Sequence, residues 1–134
     1  SPDKLQAAAA NLIDREKADF IVTGYGGFGP DIPAFCPQGV PFIHNDAFTS
    51  VVEMMNSMGC NHIFNASDVE AAYGKVMFDQ LMALGRDFPV KKLAIVHGPY
   101  EWESGLTKAL SEAATAAGWE VVMNEEVPYE SVQW

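Results

Sequence analysis

The chain has 134 residues, of which 49% are hydrophobic, and its mean hydropathy is close to zero, so it has enough apolar surface for a globular core. Its formal net charge of -10 argues against a nucleic-acid partner, because Lys and Arg neutralise phosphates and the chain has only eight of these residues. Its longest apolar runs, such as Leu93–Val96, are far shorter than the roughly 20 residues that cross a bilayer.

The first part of the chain predicts a helix followed by short strands. Apolar side chains over residues 2–17 are spaced as in an amphipathic helix, with Pro2 in the first turn. Three short buried strands are predicted next, at Asp19–Thr23, Pro41–His44 and His62–Phe64. Two short helices are predicted between them, one interrupted by prolines over residues 29–38 and one around residues 51–58.

The second part continues the alternation with longer elements. Ser67 and Glu70 match the S-x-x-E capping box, which predicts a long helix from there through Leu84. The remaining elements are an apolar strand, a helix and a final strand, at Lys92–His97, Glu103–Ala117 and Trp119–Met123. Gly118 is predicted to stop the last helix. Strands and helices that alternate at this spacing indicate an α/β fold built from parallel βαβ units.

Proline and charge interrupt this pattern at Arg86–Val90, where we predict a lobe boundary or hinge. Residues 1–88 are then part of an N-terminal lobe, and residues 89–134 are the hinge crossing and the start of a C-terminal lobe. Too little chain follows Met123 to complete a second sheet, so we expect a fragment of a longer protein. If the chain is complete, its unpaired strand edges predict a homo-oligomer or a swapped dimer.

Cys36 and Cys60 allow one disulfide in an oxidising compartment, or two buried thiols, and their number does not distinguish the two. Neither belongs to a clustered Cys/His pattern, so no structural zinc or other metal is expected. Ser1–Lys4 has neither the basic region nor the apolar region of a signal peptide, so export cannot be read from these residues.

The sharpest motif is Gly24–Gly29, which matches G-x-G-x-x-G directly after a predicted strand. On one interpretation Gly24, Gly26 and Gly29 bind the pyrophosphate of an NAD-type dinucleotide, and the protein is an oxidoreductase. Asp46 then stands where an acid would bind the ribose.

Three prolines argue against the dinucleotide interpretation. Pro30, Pro33 and Pro37 crowd the segment that should form the phosphate-facing helix, and an interior proline costs roughly 3 kcal/mol. In the alternative interpretation, the glycines let the chain turn sharply after the strand and leave backbone N–H groups exposed at the C-terminal edge of the sheet.

Several segments, none specific alone, carry a resemblance through their order and spacing. They are Ala9–Ile13, Ala18–Gly24, Gly39–Ile43, Phe64–Asp68, Lys91–Val96, Ser104–Leu106 and Ala117–Val122. Together they resemble the type I periplasmic binding proteins, in particular the branched-chain amino acid and amide receptors of ABC uptake systems. The resemblance implies an incomplete type I periplasmic-binding-protein fold, with strands three to five of the first lobe and the start of the second.

The resemblance also implies a function. In that family the ligand lies between two lobes, against the C-terminal ends of parallel strands. The chain would then belong to a non-enzymatic, cofactor-free component that binds a small amino-acid-like or aromatic solute. It would present the solute to the membrane subunits of an ABC transporter, in a periplasmic or extracellular location. A ligand-sensing domain of a regulator shares the fold and stays an alternative.

The resemblance places the solute contacts in three loops. Their residues are Tyr25, Gly26, Gly27, Phe28, Asp46, Ala47, Phe48, Thr49, Tyr100 and Trp102. Trp102 aligns with the aromatic residue of the second lobe that closes over the ligand, whereas Phe28 stands where amino-acid receptors commonly have a hydroxyl. Aromatic residues in these loops favour a flat apolar or cationic solute, and each has packing as its alternative.

Three further polar side chains have two interpretations each. Asp46 either pairs with a ligand ammonium group or serves as a helix N-cap or solvated loop carboxylate. His44 and His97 both end predicted strands, where general bases occur. Neither has an evident nucleophile partner, so we expect both histidines to be structural.

Overall fold

The computed structural model describes residues 2–24 and 29–128. The chain forms two compact units, Ser1–Val69 and Glu70–Trp134, which are described separately. Within the described ranges, the helices are too short or too polar to cross a membrane.

The described residues of the first unit form three α-helices and three strands. Helix α1 spans Pro2–Ala10 and continues into a π-helical turn at Asn11–Arg15. The strands are β1 at Ile21–Val22, β2 at Phe42–His44 and β3 at Ile63–Asn65, as predicted to within two residues at either end. Helix α2 spans Ile32–Phe35, runs into a 3-10 turn at Cys36–Gln38, and is followed by α3 at Thr49–Ser57.

The three strands form one parallel sheet in the order β1-β2-β3. Successive side chains of a strand point to opposite faces, so residues that are paired across the strands share a face. Ile21, Phe42 and Ile63 share the buried face, which packs in the core of the unit with Ile32, Phe35, Val51 and Met55. Val22, Ile43 and Phe64 form the opposite row, which is exposed.

A disulfide joins Cys36 and Cys60, the pairing that the sequence left open. Their Cα atoms are 5.4 Å apart, within the range that a disulfide spans. The bridge connects the turn after α2 to the residues just before β3, and Cys60 is buried.

In the second unit, residues 70–128 form two helices and two strands. Helix α4 spans Glu70–Ala83 and α5 spans Glu101–Ala116. Strands β4 at Lys92–His97 and β5 at Glu120–Glu126 are parallel, with an irregularity in their register between Leu93 and Ala94. The parallel α/β architecture predicted from the alternation is therefore present in both units.

Helix α5 ends as its sequence predicts. Gly118 adopts a positive φ of 79°, and its N–H donates to the carbonyl of Thr115 at 3.0 Å. The Trp119 N–H donates to the carbonyl of Ala114 at 2.9 Å, which completes a Schellman motif. This turn places the buried Trp119 ring against Phe78 and Phe88, with centroid distances of 5.7 and 5.2 Å.

Helices α4 and α5 cross at two glycines. A Cβ atom at Gly74 would overlap the carbonyl oxygen of Leu106, and one at Gly105 would overlap the side chain of Glu70. Because both residues lack this atom, the two helices approach more closely than larger residues would allow.

This packing changes the predicted domain division. The prediction assigned residues 1–88 to one lobe, which would include α4, whereas the structure places α4 with α5 in the unit that begins at Glu70. The Arg86–Val90 segment lies inside the second unit, where it connects α4 to β4. The division differs because α4 packs against α5, which lies further along the chain. The proline and charged residues at Arg86–Val90 do not indicate this contact.

The predicted capping box is also wrong. Helix α4 begins at Glu70, two residues later than a Ser67 cap would start it, and the buried side chain of Glu70 lies against Gly105. The hydroxyl of Ser67 is buried and has no hydrogen-bond partner among the described residues.

Candidate functional site

The parallel strands of the first unit all end at one edge of their sheet, and side chains connect the loops that follow them. The Asn45 N–H donates to the hydroxyl Oγ1 of Thr23 at 3.2 Å, which joins the loop after β2 to the end of β1. The Ala47 N–H donates to Oδ1 of Asn65 at 3.1 Å, which joins the same loop to the end of β3. Ligands of parallel α/β sheets bind at this edge, so the cross-linked loops form a candidate site.

Asn65 also contributes to this edge, although its position in the sequence did not predict this role. Its Oδ1 accepts from the backbone of Ala47, and its Nδ2 donates to the carbonyl of Ser67 at 2.7 Å. One amide side chain therefore holds the loop after β2 and the segment after β3 together. The sequence feature that could have indicated this role is an asparagine at the end of a predicted strand, because its amide can both accept from and donate to backbone groups of neighbouring loops.

Asp46, a predicted ligand contact, has an uncommon backbone. Its φ is 69°, in the left-handed region that few residues other than glycine adopt. Helix α3 has Phe48 as its N-cap, so the interpretation of Asp46 as that cap is wrong. Ala47 and Phe48 are 0% and 5% exposed, which favours packing inside the unit for their side chains, while Thr49 is half-buried at the start of α3.

His44 and Asp31 form a buried pair beneath the same edge. His44 is 0% exposed and Asp31 is 7% exposed, and Nε2 of the histidine lies 3.3 Å from Oδ2 of the carboxylate. The His44 ring also lies edge-on to Phe42, with centroids 5.9 Å apart. The two side chains are within ion-pair distance, but neither ring nitrogen of His44 has a hydrogen-bond partner among the described residues.

The glycine motif itself is only partly described. Tyr25, Gly26, Gly27 and Phe28 lie outside the described residues, so their predicted solute contacts stay predictions. The helix that follows the motif, α2, has four residues and includes a proline in its first turn. A pyrophosphate site needs a longer helix whose N-terminal N–H groups face the ligand, so this segment does not support dinucleotide binding.

The second unit has a cavity of about 530 Å³ at the C-terminal end of β4 and the first turns of α5. It is lined by Val96, His97, Gly98, Trp102, Glu103, Leu106 and Thr107. The predicted contact Trp102 is therefore part of a cavity wall, and its ring lies 5.3 Å from that of Tyr73. Tyr100 is the N-cap residue of α5 and is 55% exposed.

Three polar residues of this cavity were not predicted as site residues. Nδ1 of His97 is 2.6 Å from the carbonyl oxygen of Gly98. Oε2 of Glu103 accepts from the Tyr100 N–H at 3.3 Å, and the Thr107 hydroxyl donates to the carbonyl of Ser104 at 3.2 Å. Within residues 2–24 and 29–128, no cluster of His, Cys, Asp and Glu is arranged to hold a metal ion.

Comparisons with known proteins agree with this architecture. The sequence profile of the periplasmic binding protein family matches residues 1–134. A solved structure from Silicibacter pomeroyi, described as a branched-chain amino acid ABC transporter, is similar over 99% of this chain and 36% of its own, with 23% identity and a TM-score of 0.86. No curated protein sequence matches the chain significantly.

Two further solved structures contain ligands. A solute-binding protein of an ABC transporter from Rhodopseudomonas palustris, in complex with 3,4-dihydroxybenzoic acid, is 27% identical over 96% of this chain and 34% of its own, with a TM-score of 0.63. A substrate-binding protein from Desulfitobacterium hafniense, in complex with Leu, is 15% identical over 95% of this chain and 36% of its own, with a TM-score of 0.74. This chain thus spans about a third of the length of these relatives. It belongs to the periplasmic binding protein family.

Proposed function

We propose that this protein is the substrate-binding component of an ABC-type uptake system and binds a small amino-acid-like or aromatic solute between two lobes. The observation that carries the proposal is the cavity beside Trp102, at the C-terminal end of a parallel strand. Ligands of α/β folds are expected outside these strand ends. The cross-linked loop Asn45–Thr49 occupies the equivalent edge of the first unit.

The lining of the cavity supports a solute with an apolar part. Trp102, Leu106 and Val96 provide an aromatic ring and two branched aliphatic side chains, and His97 and Glu103 add polar groups. Ligand sites typically combine an apolar wall with a few polar groups that fix orientation. A branched aliphatic amino acid and a benzoic acid, which solved relatives hold, both have this composition.

We further propose that the two units correspond to the two lobes, with the crossing at Val69–Glu70 rather than near residue 88. The solute would bind to one lobe, and the other would close on it through a hinge motion. The solute leaves unchanged, so no catalytic residue is needed.

The proposed partners are the membrane subunits of the transporter, and the proposed location is the periplasm or the extracellular space. The Cys36–Cys60 disulfide supports this location, because disulfides persist in oxidising compartments and are rare in reducing ones.

Calorimetric titration and thermal shift with leucine, valine, benzoate, 3,4-dihydroxybenzoate and NAD test the proposal. We expect stabilisation by at least one amino acid or aromatic acid, since a ligand at 100 times its Kd stabilises the folded state by about 2.7 kcal/mol. Stabilisation by NAD alone would contradict the proposal and revive the oxidoreductase interpretation.

Replacing the aromatic wall sharpens this test. We expect Trp102→Ala to weaken binding by roughly 10-fold or more, equivalent to about 1.4 kcal/mol, because the ring is a wall of the cavity. Trp102→Phe keeps an aromatic face and serves as the matched control, with affinity within about 3-fold of the parent. Equal affinity in the alanine variant would remove this cavity from the site.

A further inference from the structure

The ring of Trp102, which is the aromatic wall of the cavity, lies against the ring of Tyr73 on α4. The two ring centroids are 5.3 Å apart and the ring planes are inclined by 55°. Aromatic pairs favour such tilted arrangements, with centroids about 4.5–7 Å apart. We propose that Tyr73 is a positioning residue, which holds the Trp102 ring in the orientation in which it meets the solute. The inference rests on the proposed function and adds to it a residue that is not itself part of the cavity lining.

Tyr73 reaches Trp102 because the first turns of α4 and α5 pack closely. Three contacts join these turns: Glu70 with Gly105, Tyr73 with Trp102, and Gly74 with Leu106. Residues three and four apart share a face of a helix, so each helix contributes one face to these contacts. Two of the α5 residues, Trp102 and Leu106, line the cavity. The facing side of α4 therefore sets where this wall of the cavity stands.

The pair of rings lies apart from the core of its unit. That core forms around Phe78, Ala114 and Trp119. Tyr73 and Trp102 are not among the side chains of residues 70–128 that form or cover it. Tyr73 is 42% exposed, and Trp102 is half-buried. Loss of the Tyr73 ring should therefore cost the unit little stability and act mainly on Trp102.

A half-buried tryptophan needs support because its side chain rotates about two bonds. Fixing a side chain when a ligand binds costs as much as an about 2- to 10-fold change in affinity. A neighbouring ring that restricts this rotation before the solute arrives removes part of that cost. Binding sites are generally preorganised in this way, by residues that pack behind the ones that touch the ligand.

The motion of Trp102 is measured first, without a solute. Its indole ¹⁵N–¹H signal is assigned by its loss in Trp102→Phe, and the order parameter of that signal reports how freely the ring moves. We expect Tyr73→Ala to lower the order parameter from about 0.85 towards about 0.6. Tyr73→Phe keeps the aromatic ring and should leave it unchanged. An unchanged order parameter in Tyr73→Ala would overturn the inference, whatever the protein binds.

Calorimetry then shows whether this order matters for binding. The solute is the one that binds most tightly among leucine, valine, benzoate and 3,4-dihydroxybenzoate. We expect Tyr73→Ala to weaken its binding about 5-fold, and Tyr73→Phe by less than about 2-fold. Met77→Ala shortens another exposed side chain, one turn further along α4, and should keep the parent affinity. Unchanged affinity in Tyr73→Ala, or an equal loss in Met77→Ala, would contradict the inference while leaving the proposed function intact.

A double-mutant cycle shows whether Tyr73 acts through Trp102. A Trp102→Ala protein has no ring to position, so adding Tyr73→Ala should weaken binding by less than about 2-fold, instead of about 5-fold in the parent. An equal loss in both backgrounds would mean that Tyr73 affects the site by another route, and would overturn the inference. If the parent binds none of the four solutes, the proposed function fails, and the role of Tyr73 in binding fails with it.

Discussion

The two units build the same kind of edge by different means. In the first unit, hydrogen bonds from side chains to backbone join the loops that follow the strands, and a disulfide closes the segment around β2. In the second unit, two glycines let α4 pack closely against α5, and the cavity is lined by the end of β4 and the first turns of α5. The first edge depends on a few polar contacts, while the second depends on packing.

The largest expected effect concerns the disulfide. Replacing both Cys36 and Cys60 by serine should lower the free energy of unfolding of the first unit by about 3 kcal/mol, because the bridge closes a loop across a sequence separation of 24. Urea unfolding followed by circular dichroism measures the loss. The fluorescence of Trp102 and Trp119 serves as an internal control for the second unit, whose midpoint should not move. Loss of both transitions together would contradict the independence of the two edges.

Substitutions at the crossing of α4 and α5 should instead destabilise the second unit. Gly74→Ala places a methyl group against the backbone of α5, so we expect the second unit to lose about 2 kcal/mol despite the better helix propensity of alanine. Gly105→Ala is the comparison variant, with a smaller loss, because the atoms it meets belong to the flexible side chain of Glu70. Tryptophan fluorescence during urea unfolding reports both. A Gly74→Ala protein as stable as the parent would show that the helices do not need this close approach.

The smallest effect tests the polar contacts of the first edge. Asn65→Ala removes the acceptor of the Ala47 N–H, a hydrogen bond worth about 1 kcal/mol, so hydrogen exchange at Ala47 should accelerate about 5-fold. Asn65→Asp keeps an acceptor but loses the donor to Ser67, and should leave Ala47 protected. Equal acceleration in the two variants would mean that the amide bridge, rather than its acceptor alone, protects the loop.

Elements that depend on local pattern were predictable from the sequence. Short apolar runs bounded by turn residues located each strand of the part of the chain that the structure describes. Gly118 located the end of α5, because its left-handed conformation is a local property. The order of these segments also predicted the fold class and the family, which the comparisons confirm.

Features that depend on contacts between distant residues were not predictable. The association of α4 with α5 rests on Gly74 meeting Leu106, and neither residue indicates the other in the sequence. The sequence likewise does not show that Cys36 pairs with Cys60, or that Asn65 accepts a hydrogen bond from Ala47. Trp102 was named from the resemblance, whereas the sequence did not indicate that His97 and Glu103 line the same cavity.

The Cys36–Cys60 bridge makes residues 36–60 a covalent ring that contains all of β2, the Asn45–Thr49 loop and α3. An insertion or deletion between these cysteines must keep their Cα atoms 5.4 Å apart for the disulfide to form as it does here. Changes in the Asn45–Thr49 loop are therefore expected to be substitutions rather than changes of its length. A single protease cut in that loop would also leave the two pieces tethered until a reductant releases them.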